Sequence, residues 1–253
     1  MLTSLPRPTV LPDDFLPHVL VRAGIPVTAV IARRVPLRRA LRVHAGTGDR
    51  GARVLHALTR AFRSRFSRVR RPGASVLPRI PIRYVDDHNS PSGTALLRAL
   101  EPDLLVLGAT GVIGREVLDI PRLGTLGCHY GLLPKFRGVN VTEWAILHDE
   151  PVGISIFWVD AGVDTGDVVL QRRIPVTPGE TIARLRRKSA DAGKALLVEA
   201  VSMIVRGTAP RVPQRREDGK QFFTMHPRLL QLVEQKLAEN RYAYTTQCGG
   251  ARA

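Results

Sequence analysis

Asp103-Leu104-Leu105-Val106-Leu107-Gly108 is an unbroken apolar run closed by a glycine. A run with no polar alternation reads as a strand buried on both faces, as in a parallel sheet. Its flanks agree. Pro91 to Leu100 reads as a helix before it, and Arg115 to Asp119 as a short helical turn after it. Further strands are read at Gly124–His129, Gly153–Val159 and Val168–Ile174. Upstream, Thr9-Val10-Leu11, the β-branched run Ile25–Ala32 and Ile80–Val85 read as strands. Asp13 to Arg22 and Gly51 to Arg71 read as helices, each with an apolar stripe at helical spacing. Thr177-Pro178-Gly179-Glu180 carries the marks of a helix start, a Thr cap with Pro behind it, and two helical stretches follow to Arg206-Gly207. Strands alternating with helices predict an α/β domain over residues 9–207 with a mainly parallel sheet. Residues 208–253 read as a helical tail, with one helix over Pro227–Glu239 and a disordered end at Cys248–Ala253.

Composition narrows the class. The chain has 253 residues, 44% of them hydrophobic, which fits a globular protein. No apolar run approaches the roughly 20 residues that cross a bilayer, and the N-terminus has no apolar signal-type core, so a cytoplasmic enzyme is expected. Two cysteines, Cys128 and Cys248, make no disulfide framework and match no zinc spacing. The net charge is +16. Between Arg33 and Arg79 there are 14 arginines and one acid, Asp49. Such a block suits RNA, phosphate or anionic lipid, and equally a solvated Arg-decorated helix; the second is the commoner meaning of a charge run.

The chemistry sits in two Gly-rich bends. One is Gly127-Cys128-His129-Tyr130-Gly131-Leu132-Leu133-Pro134-Lys135-Phe136-Arg137-Gly138; the other is Asp160-Ala161-Gly162-Val163-Asp164-Thr165-Gly166-Asp167. In open α/β sheets ligands bind beyond the carboxyl ends of the strands, and His129 and Asp164 both follow strands there. A histidine and a carboxylate so placed are the raw material of acid–base catalysis. Period-two alternation puts Thr125, Gly127 and His129 on one face, and Cys128 on the other as a packed thiol. The acidic bend lacks the closing Glu of an EF-hand, so no metal site is read there.

These segments, with Val117-Leu118-Asp119-Ile120-Pro121 and Trp144-Ala145-Ile146, resemble the folate-dependent formyltransferases in order and spacing, convincingly from about Pro102 to Ala200. The resemblance implies a Rossmann-like domain that moves a formyl group from 10-formyltetrahydrofolate to an amine. It implies that His129 polarises the formyl oxygen and that Asp164 assists proton movement from the amine. It places the pterin against Ala109, Thr110, Gly111, Val112 and Ile113, and against Val159, Asp160, Ala161, Gly162 and Val163.

One position departs from that pattern. The family has an Asn two residues before the His, and this chain has Gly127. An Asn there is a second donor to the oxyanion, and losing one such donor costs about 2.7–4 kcal/mol. Three readings stay open: another side chain fills the space, a water replaces the amide, or catalysis is lost. In the last case the chain is a degenerate binding protein on the same fold, with RNA contacted through the Arg33–Arg79 segment. Only 46 residues follow Gly207, too few for the barrel of methionyl-tRNA formyltransferases, and Pro12-Asp13-Asp14-Phe15-Leu16-Pro17 is no anion nest of the glycinamide ribonucleotide type. The expected acceptor is therefore a small-molecule amine.

Overall fold

A computed structural model describes residues 1–5, 16–34, 80–108 and 110–246, without the side chains of Ser4 and Leu5. Several sequence expectations fall outside those residues. They are the strand at 9–11, the carboxylates Asp13 and Asp14, the helix over 51–71, most of the arginine block, Ala109, and the chain end at 248–253.

The chain divides into two compact units, Met1–Leu100 with Gly108–Val112, and Glu101–Leu107 with Ile113–Ala253. This division does not fall at Gly207, where the sequence reading placed it.

The first unit holds β1 (Leu2–Leu5), α1 (Leu16–Arg22), β2 (Val30–Arg34), β3 (Ile82–Val85) and α2 (Pro91–Ala99). The strands are parallel in the order β1-β2-β3, with Leu2 opposite Ile31 and Val30 opposite Ile82. Two boundaries differ from the sequence reading. A first strand, β1, begins at Leu2, and β2 begins at Val30 rather than Ile25, because its pairing with β3 starts at Val30 and its pairing with β1 at Ile31. Leu2, Val30, Ile31, Ala32 and Val85 are buried in this sheet. Helix α2 forms where the sequence predicts it: the Ser90 hydroxyl accepts from the Gly93 amide at 3.1 Å, and Pro91 takes the first position, where no N–H is needed.

The second unit carries β4 (Leu104–Val106), α3 (Arg115–Leu118), β5 (Gly124–His129), β6 (Phe136–Gly138), α4 (Val141–Leu147), β7 (Gly153–Trp158), β8 (Val168–Arg173), α5 (Ile182–Val205), β9 (Lys220–Phe222) and α6 (Pro227–Ala238). Its four-stranded sheet runs β4-β5-β7-β8. β4 and β5 are parallel, but β7 is antiparallel to both β5 and β8, so the strands nearest His129 depart from the parallel rule that holds elsewhere. Every residue of β7 is buried. Leu185, Leu196, Leu197, Ala200 and Val201 of α5 are buried as well. The start of α5 lies four residues beyond the sequence reading. Gly179 takes a φ of 66°, which breaks any earlier start, and the cap is Thr181, whose hydroxyl accepts from the Arg184 amide at 3.2 Å.

The residues after Gly207 are woven into this unit. Val212 exchanges two backbone hydrogen bonds with Val168, at 2.8 and 3.0 Å. β9 lies parallel to β6, and the Phe222 ring stacks on Phe136 at 5.1 Å and meets Trp144 at 5.2 Å. The Tyr242 hydroxyl donates to the Glu150 carbonyl at 2.6 Å.

The β6–β9 pairing has a steric condition at Gly138. This residue has φ 98°, and a Cβ there would collide with the Phe222 carbonyl oxygen. Gly138→Ala is expected to destabilise the chain by about 2 kcal/mol or more, from strain plus the clash. Thermal melting would show it as a fall of several degrees, together with loss of hydrogen-exchange protection at the Val139 amide, which donates to Phe222 at 3.1 Å. An unchanged melt and unchanged protection would contradict the account.

Candidate active site

His129 ends β5, and the chain then turns back on itself. Ser155, fully buried on β7 and paired in register with His129, directs that turn. Its hydroxyl donates to the Gly131 carbonyl at 2.7 Å and accepts from the Leu133 amide at 3.0 Å. The Gln171 amide donates both to Ser155 Oγ at 2.9 Å and to the Leu133 carbonyl at 2.7 Å. The turn brings the Phe136 carbonyl onto the imidazole, and His129 Nε2 donates to it at 2.7 Å. Only glycine fits at Gly131: a Cβ would stand 2.9 Å from both Nε2 and that carbonyl oxygen.

Asp164 arrives from the acidic bend. Asp160 Oδ1 accepts from the Gly162 amide at 3.0 Å and the Thr165 hydroxyl at 2.6 Å, an Asx turn that shapes the loop. Asp164 itself sits at φ 55°, a left-handed conformation that a non-glycine residue adopts at a cost. Its Oδ2 accepts from the Gly138 amide at 2.8 Å and lies 3.3 Å from His129 Nδ1. Among the described residues, Oδ1 has no partner. The structure thus brings together the two residues that the sequence singled out, 35 positions apart.

Because a carbonyl only accepts, Nε2 must carry the ring proton of neutral His129. Nδ1 is then a lone pair beside a carboxylate. Nδ1 is the ring atom that gains a proton when the imidazole is charged. Burial drives the His129 pKa below its ordinary value, while the Asp164 charge and the Phe136 carbonyl pull it back up. Both ring nitrogens are engaged inside the protein, so this state offers no free histidine donor to an oxyanion.

The gap expected at Gly127 is filled. Phe157 faces Gly127 across β5 and β7, and a Cβ on Gly127 would lie 2.7 Å from Phe157 Cε1 and 3.0 Å from Val159 Cγ2. Phe157 packs with Leu133 and Val168, and its ring meets His129 edge-on at 6.5 Å. The side chain that fills the space is apolar and supplies no hydrogen bond. Cys128, on the opposite face, packs near Gly193 of α5, and burial pushes its thiol up to about 12, the state of an inert thiol.

The loops expected at the pterin are described separately. Thr110, Gly111 and Val112 belong to the first unit, where the Asn89 side chain donates to the Val112 carbonyl at 2.9 Å. Ile113, Val159, Asp160, Ala161, Gly162 and Val163 belong to the second. Residues 160–163 are exposed, and among the described residues the amides of Ala161 and Val163 have no partner. Sequence reasoning missed Ser155, Gln171, Gln214 and the anchoring role of Arg137. Arg137 is buried, and its guanidinium donates to Gln214 Oε1 at 3.3 Å and to the carbonyls of Arg215 and Arg216 at 3.0 and 3.4 Å. Gln214 lies 77 residues beyond Arg137, so no local pattern announces the contact.

Residues 73–201, half of the chain, match the family described as formyl transferase. Similar curated proteins include the methionyl-tRNA formyltransferases of Syntrophus aciditrophicus, 36% identical over 53% of this chain and 44% of that protein, and of Acetivibrio thermocellus, 41% identical over 51% and 42%. The chain thus spans less than half the length of the curated relatives it matches. Among solved structures, glycinamide ribonucleotide transformylase 1 from Symbiobacterium toebii superposes with a TM-score of 0.54 at 20% identity, over 83% of this chain and 92% of that one. PseJ from Anoxybacillus kamchatkensis, solved with a formamido sugar nucleotide and tetrahydrofolate, gives 0.50 at 19% identity, over 66% and 84%. At these identities the likeness establishes the Rossmann-like α/β fold.

Two outcomes follow from the site geometry. Asp164→Asn removes the charge that raises His129, so the His129 pKa, followed by NMR titration, should fall further below 6.5. The sign for stability is set by the lowered folded value. The unfolded chain binds the proton more tightly, so the contribution of the neutral ring is present above about pH 6.5 and is lost as pH falls from there to the folded pKa. A rise of the His129 pKa in Asp164→Asn would contradict the pairing. Separately, Gly127→Asn should destabilise by about 1–3 kcal/mol through overpacking against Phe157. The loss should shrink when Phe157→Ala is added; strict additivity in thermal melts would contradict the contact.

Proposed function

We propose, from the premise that this chain belongs to the formyl transferase family, that it transfers a formyl group from 10-formyltetrahydrofolate to an amine. The observation that carries this reading is the pair of buried His129 and half-buried Asp164, held at 3.3 Å by the two Gly-rich bends. When bound, 10-formyltetrahydrofolate supplies an activated formyl carbon. The residues present fit such a donor: the acidic bend exposes peptide groups at Ala161 and Val163 that suit the amide-like edge of a pterin. The proposed contacts in the second unit are Val159 to Val163.

An attacking amine must lose a proton. Asp164 Oδ1 is the open acceptor, directly or through a water. The proton then rests in the Asp164–His129 pair, where Nδ1 is poised to receive it, and passes to the leaving tetrahydrofolate nitrogen as its bond to the formyl carbon breaks. Phe157, Leu133 and Val168 make the wall beside the imidazole apolar, and a low local dielectric strengthens a charge pair once formed. In this account His129 serves proton uptake.

For the acceptor, the sequence reading favours a small-molecule amine. A second reading, an aminoacyl-tRNA, is favoured by the 36–41% identity to methionyl-tRNA formyltransferases over the shared region. The non-catalytic alternative gains no support, since the relatives that match by sequence are transferases by name. The RNA contact through the arginine segment falls on residues outside those described.

The test is release of tetrahydrofolate from 10-formyltetrahydrofolate, followed by absorbance, with amino sugars in one arm and methionyl-tRNA in another. Amine-dependent release is expected, reduced about 10²–10⁴-fold by Asp164→Asn and by His129→Ala. No amine-dependent release, or full activity in both variants, would reject the proposal.

A further inference from the structure

Asp164 holds a strained backbone conformation, and its own loop does not account for how it is kept. Two carbonyls of that loop point at a single side chain from beyond the matched region. Gln214 Nε2 donates to the Asp164 carbonyl at 3.1 Å and to the Gly166 carbonyl at 2.5 Å. The other end of the same amide, Oε1, accepts from buried Arg137. The amide is thereby spent on orientation: two donors fix the acidic bend, and the acceptor oxygen fixes the amide. The segment carrying Gln214 is itself immobilised, by the Val212–Val168 bridge on one side and by Arg137 on the Arg215 and Arg216 carbonyls on the other.

We propose that Gln214 is a positioning residue: by bracketing the Asp164 and Gly166 carbonyls it holds the Asp164 carboxylate against His129 and the Gly138 amide. This inference rests on the formyl-transfer reading for its effect on rate, and on geometry alone for its effect on the pair. Arg137, inside the family motif, thus acts on Asp164 through a residue outside residues 73–201. A change at Gln214 reaches the carboxylate through the backbone of its loop.

The experiment uses the full chain. Gln214→Met keeps the length and removes all hydrogen bonding. Gln214→Glu keeps an oxygen for Arg137 and removes both N–H donors, so the anchored segment stays while the bend is released. Arg215→Ala, a substitution of an exposed side chain on the same segment, is the control. The His129 pKa is read by NMR in each folded variant, beside Asp164→Asn. Release of the bend should move the His129 pKa of Gln214→Met in the same direction as Asp164→Asn, and leave Arg215→Ala at the wild-type value. Where transfer is measurable, Gln214→Met and Gln214→Glu should lower kcat tenfold or more, because the carboxylate that meets the amine proton is no longer held in place. Gln214→Met with the wild-type His129 titration, while Asp164→Asn moves it, overturns the proposal and leaves the formyl-transfer reading standing. A wild type with no transfer, whose His129 titration still responds to Gln214→Met, supports the positioning role and removes the functional reading instead.

Discussion

One oxygen atom, Oδ2 of Asp164, ties the second unit's functional parts together. It accepts from the Gly138 amide and faces His129 Nδ1, so the end of β6, the end of β5 and the acidic bend meet there. Each group has been brought by a separate device. Ser155 and Gln171 fold the turn that gives the imidazole its Phe136 partner. Gly138 takes φ 98° so that β6 can pair with β9 while its amide points at the carboxylate. Gln214 holds the left-handed Asp164 from outside. A half-buried carboxylate with one oxygen held by an amide and facing an imidazole is fixed more firmly than an exposed pair, while its second oxygen stays open.

The Gly127–Phe157 contact shows what the fold does with the position where the family has an amide. In an antiparallel pair, directly opposed side chains on one face are close neighbours. With no side chain at Gly127, the Phe157 ring leans into the space and joins Leu133 and Val168. The exchange is one of chemistry for packing: an apolar contact beside His129 in place of a polar one. It also dries the imidazole, the same burial that lowers the His129 pKa. The site is therefore better suited to move a proton than to crowd donors around an oxyanion.

Much of this was legible in the sequence, for identifiable reasons. The strand Gly124–His129 and the helix beginning at Pro91 emerged within a residue, because alternation and a Ser-Pro cap are local signals. His129 and Asp164 were found through their bends. What failed were features set by distant partners. The helix Val141–Leu147 has no local start signal, since its cap, Asn140, is left-handed and makes no side-chain cap bond. The strand Leu2–Leu5 is four residues long and exists through its pairing with β2. The residues after Gly207 read as a tail because β9 is only three residues long and its partner lies more than 80 positions earlier. Nothing local distinguishes Gln214 from any exposed glutamine, and nothing at Gly127 reveals which neighbour will occupy the vacancy.

The central claim is that His129 keeps its Nε2 proton on the Phe136 carbonyl and leaves Nδ1 to share a proton with Asp164. The ¹⁵N shifts and one-bond N–H couplings of the His129 ring, measured above its titration, test it directly. The account predicts a protonated Nε2 and a bare Nδ1, with Nδ1 gaining its proton on acidification. A bare Nε2 with the proton resident on Nδ1 would contradict it.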